Sequence, residues 1–383
     1  MTQPNDQSVL FHVQHLLGIG HVRRANIVCQ ALSEAGFKVV LVTGGRPIAD
    51  LQRDSIEIAQ LSPLHIGDSG FHDLRDDTNT PIDADWKVNR RDRLLDLFND
   101  VAPDILITEA FPFGRRQMRF ELIPLLEHAA ARNRPPQIYC SVRDILQSDR
   151  KPGRAEETVA LIDRFYDGVL VHGDPTFAAL AETFPDANQF DEKVHHTGIV
   201  VAPLTESPQS RSDEILVSAG GGAVGLRLFE TAIAARALSS FAMATWRILV
   251  GPNVAEEDYR CLCDRATDGV IVEHYRTDFL TLLTNCRVSI SQAGYNTVAD
   301  LIVAETPAVL VPFDTDGEDE QPRRAAKLVE RGCAVSLPSQ TLTPKTLAAA
   351  VDEASRLNRA TARSIRLDGA ARTASILQAA HAQ

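Results

Sequence analysis

The chain predicts an α/β protein built from two doubly wound, Rossmann-like domains. Three observations lead there. Short Val, Ile and Leu-rich runs alternate with longer stretches of helical period, both halves open with a strand, a glycine loop and a helix, and a Pro- and Ser-rich break separates them. A chain of 383 residues, 44% hydrophobic, has enough apolar side chains for two cores.

In the first half the strand-like runs are SVLFHV (8–13), KVVLVTG (38–44), DILITE (104–109), QIYCSV (137–142), GVLVHG (168–173) and KVHHTGIV (193–200). Residues 201–213, VAPLTESPQSRSD, break the pattern with Pro, Ser and charge and read as the linker. They divide a domain of residues 1–200 from one of residues 214–383, whose last helix is free to pack back on the first. Beyond the linker the runs are EILVSA (214–219), WRILVGP (246–252), GVIVEHY (269–275), RVSISQ (287–292) and AVLVPF (308–313), then helical segments to the end. The first helix of each half carries an apolar stripe: Val28, Ala31, Leu32 and Ala35 in one, Leu228, Ala232, Ala235 and Leu238 in the other. In such folds ligands sit at the carboxyl ends of the strands, here in a cleft between the domains.

Composition removes several function classes. No apolar run approaches the roughly 18 residues of a membrane span, and MTQPNDQ lacks the pattern of a signal peptide, so a soluble cytoplasmic protein is expected. A net charge of -12 argues against nucleic acid as a partner. The six cysteines (Cys29, Cys140, Cys261, Cys263, Cys286, Cys333) show no metal spacing and read as free buried thiols of a reducing compartment.

The loop after the seventh run has glycines at 220, 222 and 225, a G-x-G-x-x-G between strand and helix. Backbone amides there can approach a diphosphate at the positive end of the helix. The alternatives are a tight turn without a ligand and a dinucleotide site; the second fits poorly, because the next strand ends in ILVGPN with no acid for a ribose. A further turn, Gln292 to Tyr295, leads into a helix starting near Asn296 or Thr297. Asp300, one turn on, suits a ribose diol, or else closes a capping box with Thr297.

The stretch SQAGYNTVADLIVAETPAVLVPF (291–313), an acidic Gln-containing segment and a helix ending LVERG together resemble the donor half of family 28 glycosyltransferases. That family includes the N-acetylglucosaminyltransferase of the peptidoglycan precursor. GIGHVRRANIVCQALSEAGFKVVLVTGG (18–45) is similar to its N-terminal glycine loop, and QHLLGIGH, FPFGRRQ, SVRDIL and VHGDP resemble a group of bacterial predicted glycosyltransferases. The resemblance implies the GT-B fold and metal-independent, inverting transfer of a sugar, a hexose or N-acetylhexosamine, from a UDP-sugar to an acceptor hydroxyl. Carried over by position, Gly221, Gly222 and Ala223 line the diphosphate, Asp300 holds the ribose, Glu320 and Gln321 meet the sugar hydroxyls, and the backbone at His274 and Tyr275 meets the uracil edge. Gly20, Gln292, Gly294, Asn296 and Thr297 complete the expected donor contacts. The chain departs from the pattern twice: Asp300 stands where Glu is usual, and TGIVVAP lacks the arginine that often follows the glycine of the interdomain strand.

With the donor on the second domain, GIGHVRR faces the reacting sugar and the acceptor. His21, at a helix start where a neutral imidazole is favoured, can take a proton from an acceptor hydroxyl. Glu109 and Asp144 end two strands and compete for that role. His172 and Asp174 of HGDP read as a turn closed by Asp-Pro. Arg115, Arg116 and Arg143 are the acceptor-side residues. In FPFGRRQMRFELIPLL (111–126), Phe111, Phe113, Met118 and Phe120 alternate with Arg115, Arg116 and Arg119, which suits an anionic acceptor, an acidic membrane face, or ordinary helix packing. The acceptor itself, whether small molecule, glycan or lipid-linked, is not readable. DTDGEDE (314–320) contains Asp-x-Asp, read as a loop beside the donor sugar rather than a metal site. Rival readings are a nucleotide-sugar hydrolase or epimerase on the same fold, and a non-catalytic UDP-sugar-binding subunit.

Overall fold

The computed structural model describes residues 7–381 except 17, 49–50, 52–54, 68–69, 71, 148–151, 203–211, 220–224, 252–253, 315–317 and 360–363. Contacts divide the chain into two compact units, residues 1–146, 150–200 and 368–383 in one and residues 147–149 and 201–367 in the other. Most of the predicted linker lies outside the described residues, as does the predicted diphosphate loop of Gly221, Gly222 and Ala223.

The first unit opens with β1 (Ser8–Val13), α1 (Gly20–Glu34), β2 (Lys38–Thr43) and β3 (Glu57–Gln60), then a short antiparallel pair, β4 (Leu64–Ile66) and β5 (Leu74–Asp76). It continues with α2 (Ala84–Val101), β6 (Ile105–Glu109), α3 (Arg119–Ala130), β7 (Gln137–Arg143), α4 (Arg154–Phe165), β8 (Gly168–His172) and β9 (Val194–His196). A seven-stranded sheet runs in the order β3-β2-β1-β6-β7-β8-β9, every pair parallel. Both faces are covered, so the strands are apolar nearly throughout. Val9, Phe11 and Val13 pack with Val22, Cys29 and Leu32 of α1, whereas Leu10 joins Phe98 of α2 and Leu122 of α3 on the other face.

The second unit comprises β10 (Ile215–Ser218), α5 (Leu226–Ala235), β11 (Trp246–Val250), α6 (Glu256–Arg265), β12 (Val270–His274), α7 (Phe279–Asn285) and β13 (Val288–Ser291). It ends with α8 (Tyr295–Ala304), β14 (Ala308–Leu310), α9 (Glu320–Glu330), β15 (Ala334–Ser336) and α10 (Pro344–Ala354). Its parallel sheet has the order β12-β11-β10-β13-β14-β15. Ile215, Val217, Trp246, Ile248, Val288 and Ile290 pack under Phe229 of α5 and Val351 of α10. Gly225 ends the loop into α5, and a Cβ there would lie 2.3 Å from Ala219 Cβ, so this close return of chain to strand requires glycine. The final helix, α11 (Gly369–His381), belongs to the first unit, where Ala374 and Leu377 enter the core beside α1 and Gln378 Nε2 donates to Ala35 O at 3.0 Å.

Several expectations are corrected. The sequence reading misses β3, the β4–β5 pair and β15. β3 is a polar edge strand, EIAQ, without an apolar run to betray it, and β15 spans only Ala334–Ser336. Ala31 and Ala35 are only partly buried, because the inner face of α1 is set by Val22, Ala25, Val28, Cys29 and Leu32. Leu238 lies in a 3-10 turn after α5 and is 60% exposed, beyond the end of the helical stripe. α8 begins at Tyr295, one residue before the earliest predicted start. All six cysteines are free, but Cys261 and Cys263 are exposed on α6. Among the described residues no helix is long and apolar enough to cross a membrane.

Candidate active site

In each unit the strand order reverses beside the first strand: β1 pairs with β2 and β6, and β10 with β11 and β13. The carboxyl ends at such a switch point are where helices diverge and leave room for a ligand. In the first unit this places the start of α1 next to the end of β6, so His21 meets Glu109.

His21 Nδ1 lies 2.8 Å from Glu109 Oε1. A carboxylate only accepts, so the imidazole donates from Nδ1, and Nε2, with no partner among the described residues, is left as the lone-pair nitrogen. Glu109 is 2% exposed. The same Oε1 is contacted by Arg24, one turn along α1, while Oε2 accepts from Ser141 Oγ of β7 at 2.5 Å. Burial opposes ionisation of Glu109, but Arg24, His21 and Ser141 together outweigh it and hold the carboxyl well below the ordinary range. His21 is driven the other way. Burial, then the nearby Arg115 charge, lowers it to about 3 against the pull of Glu109, so the ring is neutral at physiological pH.

The loop around this pair is anchored from below. Arg90, 1% exposed, donates to both oxygens of Glu121, at 2.7 and 3.2 Å, to Gln14 Oε1 at 2.6 Å and to Gly44 O at 3.0 Å. Gln14 in turn donates to His15 O at 2.7 Å, and Arg115 Nε donates to Gln14 O at 2.9 Å. Gln14 is therefore a fixed point for the chain that leads into α1. Ala110 and Arg115 both take left-handed backbone angles, φ 65° and 55°, a cost of about 1–2 kcal/mol each that the surrounding contacts must hold. Burial, and after it the like charge of Arg143, lowers Arg115 to about 10, which places the two guanidinium groups in one neighbourhood.

Other predicted residues fall differently. Asp144, 1% exposed, follows β7 and accepts from Ile145 N at 2.8 Å; Gly173 packs on it so closely that a Cβ would lie 2.5 Å from Asp144 Cβ. Asp174 closes the expected turn, accepting from Thr176 N at 2.8 Å. Arg116 is not in the His21 cluster: it pairs with Glu157 of α4, which Arg119 also contacts. Phe111, Phe113 and Met118 are buried in the first core, and Phe120 packs against it partly buried, so ordinary packing accounts for the apolar residues of this segment.

In the second unit Gln292 to Gly294 form the turn from β13 into α8, whose N-cap is Gly294 with no side-chain cap. Thr297 and Asp300 therefore lie inside the helix, and the capping-box alternative is not formed. Asn296 and Thr297 occupy its first turn, half-buried. Gln321 Oε1 accepts from Ala293 N and from Phe313 N, both at 3.1 Å, so its carbonyl ties two strand-end loops together. Glu320 is buried and pairs with Arg324 at 2.9 Å, and Arg324 also donates to Ala293 O at 3.3 Å. His274, exposed, stacks on Tyr259 with ring centroids 3.9 Å apart, while Tyr275 N donates to Val250 O at 2.9 Å. Asp314 is held by Ser339, and Asp316 lies outside the described residues.

Sequence reasoning missed Arg24, Ser141, Arg90 and Arg324, and gave His172 only a turn. One signal was available: Ser141 and His172 are polar residues near the carboxyl ends of otherwise apolar runs.

The model of the glycosyltransferase family 28 C-terminal domain matches residues 217–376. The chain is 27% identical over 141 residues to the uncharacterized glycosyltransferase MK0977 of Methanopyrus kandleri, an alignment spanning 37% of each protein. It is also 27% identical over 340 residues to the UDP-N-acetylglucosamine--N-acetylmuramyl-(pentapeptide) pyrophosphoryl-undecaprenol N-acetylglucosamine transferase of Mesorhizobium japonicum, covering 87% of this chain and 83% of that one. Among solved structures, the calicheamicin glycosyltransferase CalG4 superposes with a TM-score of 0.66 at 17% identity, over 98% of both chains. The chain has the GT-B fold, and residues 217–376 are a glycosyltransferase family 28 C-terminal domain.

Proposed function

We propose that the protein is an inverting transferase that moves a sugar from a UDP-sugar to an acceptor hydroxyl, with His21 as the general base. The observation that carries this reading is the His21–Glu109 pair, 2.8 Å apart at the switch point of the first sheet. His21 Nε2 takes the hydroxyl proton as the acceptor oxygen bonds to the anomeric carbon. The bond from that carbon to the diphosphate breaks, and UDP leaves with the electron pair. Glu109 remains ionised and steadies the imidazolium that forms, so it is a positioning residue rather than the base. A base held in place in this way contributes about 10²–10⁴-fold in rate.

Arg115 and Arg143 give the reading its charge logic. In the resting protein the Arg115 charge helps to depress His21. An anionic group of a substrate seated on these guanidiniums offsets that charge and raises the basicity of Nε2 when it is needed. On the donor side, Asp300 holds the ribose, while Gln321 and Glu320 shape the loops that meet the sugar. UDP as the nucleotide rests on the likeness to the Mesorhizobium japonicum enzyme, and the acceptor stays unnamed.

The test is calorimetric titration with UDP, dTDP, GDP and NAD, with and without magnesium, repeated on Asp300→Ala, followed by UDP release from UDP-N-acetylglucosamine with and without candidate acceptors. Selective UDP binding that survives chelation and weakens in the variant supports the donor assignment. NAD binding, or no nucleotide binding, overturns it. Donor consumption independent of any acceptor would replace transfer by hydrolysis.

A further inference from the structure

The carboxylate that holds His21 is itself held by a hydrogen-bonded chain running across three neighbouring strands. Ser141 Oγ lies 2.5 Å from Glu109 Oε2 and 2.9 Å from His172 Nε2, and His172 Nδ1 lies 3.0 Å from Thr197 Oγ1. Ser141, His172 and Thr197 are at most 1% exposed.

The hydrogens between Glu109 and His172 have one consistent arrangement. Glu109, ionised, can only accept, so the single hydroxyl hydrogen of Ser141 points to Oε2. Ser141 Oγ must then receive its second bond from His172, which places a hydrogen on Nε2 of that ring. Burial, and next the Arg24 charge, keep His172 neutral by lowering it to about 3, with Glu109 opposing. Its Nδ1 is therefore the lone-pair nitrogen, 3.0 Å from the Thr197 hydroxyl, whose single hydrogen also has Gly198 O at 3.0 Å and Val171 O at 3.3 Å as acceptors. The donors of Ser141 and His172 both face Glu109. With Oε2 filled from β7 and Oε1 shared by Arg24 and His21, the carboxylate cannot rotate without leaving a buried donor unpaired, which costs about 1–3 kcal/mol.

We propose that His172 and Ser141 are positioning residues for His21: through Glu109 they fix its imidazole in the Nδ1–H tautomer and aim Nε2 outward. As a statement about catalysis this rests on the reading of His21 as the base; as a statement about the tautomer it does not.

The experiment is nitrogen-15 NMR of histidine-labelled full-length protein at pH 7, with the His21 and His172 signals assigned from single variants. The expected wild-type result is Nδ1–H at His21 and Nε2–H at His172. In His172→Leu the His21 signals shift toward a tautomeric average, whereas His172→Gln, whose amide N–H can still donate to Ser141 Oγ, keeps the wild-type pattern. Should the leucine variant fail to fold, Ser141→Ala gives the same reading and is expected to show the same averaging. An unmoved His21 tautomer in the leucine or alanine variant overturns the proposal, as does equal disturbance by leucine and glutamine. UDP release from UDP-N-acetylglucosamine separates the two claims. A drop of about 10- to 100-fold in kcat with KM for the donor unchanged supports the positioning role. A wild-type protein with a locked tautomer and no turnover sinks the transferase reading and leaves the tautomer result standing.

Discussion

His21 Nδ1 donates to Glu109 Oε1 across 2.8 Å and 88 positions of sequence. The pair exists because β6 lies directly beside β1, so the first turn of α1 and the last residue of β6 share one end of the sheet. Glu109 faces Arg24 as well, and the two roles are separable by mutation.

His21→Ala is expected to lower transfer by about 10²–10⁴-fold while leaving UDP affinity within twofold, since its ring takes the proton and does not hold the nucleotide. Glu109→Gln is expected to lower transfer too, but also to destabilise the fold by about 3–5 kcal/mol, because Arg24, 3% exposed, loses its counter-charge. Turnover and urea unfolding on both variants check this; equal stability of the two would refute the buried-pair account.

Acid should unfold the first unit early. His21, His172 and His15 are lowered to about 3, 3 and 4, in each case chiefly by burial. Their folded values lie below the unfolded value of about 6.5, so the stability they contribute is complete above that pH and is lost as pH falls toward 4. The loss expected between pH 7 and 5 is on the order of 1–2 kcal/mol per histidine. Glu109, also depressed, adds a loss of the same sign below about pH 4.5. Urea midpoints at half-unit steps of pH read the slope, and a flat profile from pH 7 to 5 would contradict it.

Gln321 separates a structural from a ligand role on the donor side. Its Oε1 accepts from two backbone amides, so Gln321→Ala is expected to cost about 1–3 kcal/mol and to weaken UDP binding through the loosened turn before α8. Gln321→Glu keeps the accepting oxygens and is expected to retain stability. Thermal unfolding of the two variants decides; similar losses would mean that the bridge is not what Gln321 contributes.

A stability change far from the site serves as a control on the backbone reading. Ala102 ends α2 in the left-handed region at φ 46°, where glycine is at no disadvantage. Ala102→Gly is therefore expected to stabilise by about 0.5–1 kcal/mol without touching turnover. A lower unfolding midpoint would show that another contact of Ala102 outweighs its strain.

Local pattern alone determined a good deal. Apolar runs marked nearly every long strand, because strands buried on both faces must be apolar throughout. The break at 201–213 and the repeated strand, loop and helix order pointed to two similar halves. His21, Glu109 and Asp144 were legible as residues at strand or helix ends, where a doubly wound fold gathers its chemistry. What pattern could not supply was sheet order. That β6 neighbours β1, and β7 neighbours β6, is settled by packing of the whole unit, and it alone makes Arg24 and Ser141 partners of Glu109 and brings His172 into the same chain. The same holds for side-chain direction. Phe111 and Phe113 fit a membrane face or ordinary packing, and the core they enter accounts for them; for Asp300, which fits a ribose diol or a capping box, the helix start at Tyr295 removes the second alternative. Periodicity is a local property of the chain, whereas hydrogen-bond partners 88 residues apart are a property of the fold.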